Sequence, residues 1–204
     1  MPRSTRAYRG LAQASRLMIT DILMRRPGLG LIELGELTGL HDNTLRDHLK
    51  VLSAEGVVRS ETERRAGRGR PRLVYFTVNA ATENEIAQDR VDDAKRRGDL
   101  LRRVMPTEPV DLDADALHQL DALYEHLDAV GLTPELDEAG LSVKMTPCPF
   151  HKLIAEHPET ICNVHEGLVR DVLLRAGGPV EVDQLLPFVT PHACILRLRL
   201  ASDE

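Results

Sequence analysis

Residues 33–58 read ELGELTGLHDNTLRDHLKVLSAEGVV. Two helical periods joined by a tight turn decide how this stretch folds. Leu34 and Leu37 share one face of a helix over 32–38, and Gly39-Leu40 supplies the turn. Leu45, His48, Leu49 and Leu52 share one face of a second helix over 42–55, which Gly56 closes. His41 or Asp42 is its N-cap. With that face turned inward, Asn43, Arg46, Asp47 and Lys50 form an outward row, with Thr44 at its edge.

Outward from this stretch, Leu11, Ala14, Met18 and Ile22 mark an earlier amphipathic helix over 10–25, stopped by Pro27, Gly28 and Gly30. Downstream, Val57–Val58 and 73–78 read as two strands. Between them lies Arg64-Arg65-Ala66-Gly67-Arg68-Gly69-Arg70-Pro71-Arg72, a loop of arginine and glycine. Three helices followed by a hairpin with a basic tip are the order of a winged helix-turn-helix. The segment Leu34–Leu52 resembles the bacterial repressors of the arsenical-repressor and related types. Leu37, Gly39, Leu40, Thr44, Leu45, His48, Leu49 and Leu52 stand where that family places core and turn residues; Gly35 stands where Ala is more usual. The resemblance implies a DNA-binding domain over residues 1–80 and a homodimer on double-stranded DNA.

Charge supports a polyanionic partner at this end. Residues 1–80 hold 14 Lys/Arg against 8 Asp/Glu, whereas residues 81–204 hold 12 against 24. On the outward row, Arg46 can grip guanine, Asn43 can grip adenine and Lys50 can neutralise phosphate. Asp47 can accept from cytosine or orient Arg46. In the loop, Gly67 and Gly69 allow close backbone approach. Arg65, Arg68, Arg70 and Arg72 are the candidate contacts there, the last three suited to a narrow minor groove.

Residues 81–110 read as a connecting helix and linker, broken by Pro106 and Pro109. Residues 111–204 read as a smaller sensor and dimerisation domain. It has a helix over 113–130, a strand at 141–145, a short helix after Pro149, a helix over 159–175, and paired strands at 180–189 and 193–200. The fold class expected for the whole chain is α+β.

All three cysteines lie in this acidic region. Cys148-Pro-Phe-His151 and Cys162-Asn-Val-His165 repeat Cys-x2-His, and Cys194 follows. Thiolate and imidazole three residues apart on a helix can grip one soft ion, so Cys148, His151, Cys162, His165 and Cys194 are candidate ligands. The alternative is thiols packed as small core hydrophobes. His157 and His192 read as ordinary histidines. The region also resembles bacterial winged-helix regulators related to the repressor of iron–sulfur cluster assembly genes. That resemblance rests on Cys148, on Cys162 in PETIC, on His165-Glu166-Gly167-Leu168, and on Cys194 in a late strand. It implies a [4Fe–4S] cluster on Cys148, Cys162 and Cys194. The neighbouring histidines keep zinc open.

Several classes are excluded. Aromatics at 3% are too few for single-strand stacking platforms. No apolar run is long enough to span a membrane, and MPRSTRAYRG has no signal-peptide core. With three cysteines the chain is no disulfide scaffold and reads as cytoplasmic. The Gly67–Gly69 loop has no phosphate-binding context, and Asp111–Asp115 opens a helix. No motif completes a catalytic Cys–His pair, so the chain reads as no enzyme. The expectation is a homodimeric transcriptional regulator with a redox or metal sensor. The alternatives are an organic effector without metal, or a winged-helix module for protein contacts.

Overall fold

The structure, a computed structural model, describes residues 11, 13–63, 71–105, 110–139, 141–146, 158–190 and 192–201. The chain is mixed α and β, as the alternation of periods implies. Three helices open it: α1 (Ala14–Arg25), α2 (Leu31–Thr38) and α3 (Asp42–Ala54). The two-residue strand β1 (Leu29–Gly30) precedes α2, and β2 (Val58–Glu63) and β3 (Arg72–Thr77) follow α3. These strands form an antiparallel sheet ordered β1-β3-β2. The β2 strand is longer than its apolar start suggested. Its last four residues are exposed and polar, and ladder pairing with β3 carries them. Arg59 lies over the ring of its cross-strand partner Phe76, 4.5 Å from the centroid.

Gly39 ends α2 in the left-handed region, at φ +69°, where L side chains are strained. Its N–H donates to Gly35 O at 2.8 Å. His41 is the N-cap of α3: Asn43 N–H donates to its Nδ1 at 3.3 Å. Leu45, Leu49 and Leu52 are buried as expected. Leu37 is not turned inward; it is 42% exposed, and α2 reaches the core chiefly through Leu34. The α1 stripe is also rotated from the expected one. Leu17, Ile19 and Leu23 are buried, with Ala14, Met18 and Ile22 partly so. The cause is that α1 is covered on two sides, by the N-terminal elements and by the C-terminal helix α6 (Pro158–Ala176).

The chain continues through α4 (Glu85–Val104), α5 (Ala114–Ala129), β4 (Thr133–Asp137), β5 (Ser142–Thr146), α6 (Pro158–Ala176), β6 (Val180–Thr190) and β7 (Ala193–Leu200). The four strands form an antiparallel sheet ordered β4-β5-β7-β6. The short helix expected after Pro149 lies outside the described residues. The β4 strand, which the sequence did not announce, contains Pro134. It lies at the sheet edge, where a missing N–H costs least.

One buried apolar cluster runs from Leu11, Leu17 and Leu45 through Leu120 and Leu127 to Val169 and Leu196. It crosses from the N-terminal elements into the rest of the chain without a break. At the α1–α6 contact, a Cβ on Gly167 would come within 2.9 Å of Met24 Cε. The charged α4 contributes only small residues inward: Val91 and Ala94, in a second cluster with Ala122 and Ala176.

Gln119 closes this packing. Its side chain is buried on α5 and donates through Nε2 to Leu173 O at 2.9 Å and Val180 O at 3.0 Å. Its Oε1 accepts from Val180 N–H at 2.6 Å. Gln119→Leu would strand both backbone groups of Val180, each worth about 1–3 kcal/mol, while Leu173 O keeps the Gly177 N–H at 3.2 Å. The expected outcome is a loss of at least about 2 kcal/mol in urea unfolding.

Candidate functional site

Two surfaces carry the chemistry. The first is the outer face of α3. Because Leu45, Leu49 and Leu52 anchor its other side, Asn43, Thr44, Arg46, Asp47 and Lys50 are all exposed. Arg46 is held along its own helix. Nη1 donates to Asn43 Oδ1 at 3.1 Å, and Nη2 meets Asp42 Oδ2 at 3.4 Å. His48 sits on the flank, its imidazole kept below the ordinary range by burial first and by Arg16 second.

Of the basic loop, Arg65, Arg68 and Arg70 lie outside the described residues. Arg72 opens β3, half-buried, with Nη2 on Glu33 Oε2 and Nε 3.8 Å from Glu63 Oε2. Glu33 also accepts from Gly30 N–H at 2.7 Å. Arg72 therefore ties the base of the hairpin to the start of α2.

The second surface is a cavity of about 30 Å³ between α5, α6 and the sheet. Cys162 and His165 of α6 and Cys194 of β7 all line it. They meet because Cys162 and His165 are one helical turn apart, while β7 brings Cys194 opposite Met145 of β5. Apolar walls come from Leu127, Val130, Val169 and Leu196. Cys148 and His151 lie outside the described residues. Among the described residues, no three His, Cys, Asp or Glu side chains gather as a metal centre.

Cys162 and Cys194 are not in a disulfide. Burial pushes the Cys162 thiol above its ordinary pKa, and neighbouring Cys194 and Glu166 add to this. It is thus held as the thiol, and a soft cation would have to displace its proton. Burial pushes His165 down to about 4. A fourth residue, His126 of α5, lines the same cavity. It is pushed down to about 3, by burial first and then by His165 and Arg90. The sequence carried a signal for it: His126 stands three residues after Leu123 and directly before Leu127, inside the apolar stripe of α5.

Thiols and neutral imidazoles are donor types that a soft or borderline metal takes, but those described here line one cavity without three of them gathering on a common point. No protein-family model and no curated protein matches the chain.

The two imidazoles make stability pH-dependent. The unfolded rings take up protons near 6.5, the folded ones only near 4 and 3. Between those values the unfolded chain binds more protons, so stability falls as pH drops from 6.5 toward 4. Urea midpoints of the wild type should therefore decrease through this window. His126→Leu, which removes one of the two rings, should show a shallower decline. Equal declines would mean that His126 protonates as readily folded as unfolded.

Proposed function

We propose that the chain is a DNA-binding transcriptional regulator, with a winged helix-turn-helix in residues 1–80 and a thiol–imidazole sensor in the C-terminal part. The observation that carries the reading is the exposed row Asn43, Arg46, Asp47 and Lys50, on a helix whose opposite face is buried. Behind it, α2 meets α3 through the Gly39 turn, and the β2–β3 hairpin stands beside it. The bases of two successive major-groove half-sites would meet α3 from each protomer of a homodimer. Leu100, Leu101, Val104 and Met105, all exposed near the end of α4, are the apolar surface this reading gives to the second protomer.

In the sensor, Cys162, Cys194 and His165 would hold zinc or an iron–sulfur cluster, with Cys148 and His151 completing the ligand set. Bound there, the group would supply a redox- or metal-dependent cross-link between α6 and β7. The protein's own part would be to line one cavity with these thiols and imidazoles and to hold them uncharged until the group is taken up.

Titration against genomic duplex fragments at two salt concentrations tests the first half. Affinity should fall steeply with salt, because phosphate contacts release counterions. Arg46→Ala should cost about 1–3 kcal/mol and relax base preference at one position. Salt-insensitive or absent binding would favour a module for protein contacts instead.

The second half is tested on anaerobically purified protein by visible absorption and by iron, sulfide and zinc analysis. Bound metal should be present, and Cys162→Ser should abolish it while leaving DNA affinity measurable. A colourless, metal-free wild type that responds to an organic effector would remove the metal from the reading.

A further inference from the structure

A second cavity, of about 190 Å³, lies where Gly56, Val57 and Val78 meet α4, α5 and α6. An apolar cavity of about 150 Å³ accommodates benzene, so this one has room for a six-membered ring with a short substituent. Its floor is apolar and buried, formed by Val91 and Ala94 of α4, Ala122 of α5 and Leu168 of α6.

Charged groups edge that floor, and they are not equivalent. The guanidinium groups are engaged by the protein itself. Arg90 Nη1 donates to Glu55 O at 2.6 Å, and Arg97 Nη1 donates to Glu125 Oε1 at 2.6 Å. Arg175 Nη2 donates to Thr82 O at 3.1 Å and to Asn79 O. Among the carboxylates, Glu125 is paired with Arg97 and Asp93 with Arg96, and Asp128 is exposed to solvent.

Asp171 is different. It accepts one backbone N–H, from Ala80 at 3.2 Å, is half-buried, and forms no ion pair among the described residues. Burial holds its carboxyl above the ordinary range, against the opposing effects of the Ala80 bond and the Arg175 charge. A half-buried carboxylate with spare lone pairs beside an apolar floor is complementary to an ammonium on a compact hydrocarbon.

We propose that this cavity binds a small primary amine with a compact apolar body, its ammonium on Asp171 and its body on the α4–α5–α6 floor. An occupant would touch Val57 and Val78 as well as the three helices, and so join the N-terminal elements to the rest of the chain.

Benzylamine, benzoate and benzyl alcohol serve as probes, titrated into the full chain by calorimetry with ligand-observed NMR. Benzylamine should bind in preference to the other two. Asp171→Asn, which keeps an oxygen acceptor for the Ala80 amide, should weaken it by about tenfold or more, the loss of one hydrogen bond to a charged group. Ala87→Leu, which adds bulk to the lining, should weaken it independently of charge. Three results would overturn the proposal: benzoate binding as well as the amine, equal benzylamine affinity in wild type and Asp171→Asn, or no binding by any probe.

Discussion

The three hydrogen bonds of Gln119 fix the point where α6 turns back into the sheet. The chain reverses there through Gly177 and Gly178, at φ +70° and +148°, conformations that L side chains rarely adopt. A reversal that tight leaves the carbonyl of Leu173 and both backbone groups of Val180 facing the interior. A buried amide or carbonyl without a partner costs more than a made bond gains. One side-chain amide, with donors and an acceptor on the same planar group, satisfies both groups of Val180 and shares Leu173 O with the Gly177 N–H. A Cβ on Gly178 would come within 2.5 Å of that amide oxygen, so the glycine and the glutamine require each other.

The geometry of the thiol cavity depends on this lock. Cys162 lies about three turns before Leu173 on α6, and Cys194 sits on β7, which pairs with β6. Their approach is therefore set by the α6–β6 reversal and by sheet register. His126 extends the same logic, because it lines both the thiol cavity and the larger one beside Val57 and Val78. A single buried ring on α5 thus forms a common wall between the Cys/His region and the junction with the N-terminal elements. Any rearrangement of one cavity that moves this ring is felt in the other, since packed interiors transmit displacement rather than absorb it.

Much of this architecture was legible in the residues, for physical reasons that can be named. Gly39, Gly56, Gly131 and Gly177 sit at helix ends in the left-handed region, and each marks a stop in the sequence. The outward row of α3 was legible because Leu45, Leu49 and Leu52 leave only one way to turn the helix. Two-sided burial was not legible: α1 lies between two layers, so several of its faces carry apolar residues and periodicity alone does not choose among them. Nor was β4, whose Thr-Pro-Glu-Leu-Asp alternates over only five residues and carries a proline, which reads against a strand until its edge position is known. In the site, Cys162, His165 and Cys194 stood out by chemistry. His126 did not, because one imidazole within a leucine stripe reads as core until the opposing wall is known.

Arg46 and Arg72, the one expected at a guanine edge and the other in a minor groove, differ in what it takes to free them. Arg46 is more than half exposed, and its partners Asn43 and Asp42 stand on the same helix. Exposed pairs of that kind are worth about 0.3–0.5 kcal/mol. Moving the guanidinium away from them would therefore forfeit little, and the pair keeps it along the exposed outer side of α3. Arg72 is half-buried, and its nitrogens face Glu33 and Glu63 from two different elements. Glu33 in turn holds Gly30 N–H at the start of α2. Withdrawing Arg72 would leave two carboxylates facing each other and loosen the hairpin from α2. Its present geometry suits it to hold the hairpin base in place, whereas Arg46 can leave its partners at small cost.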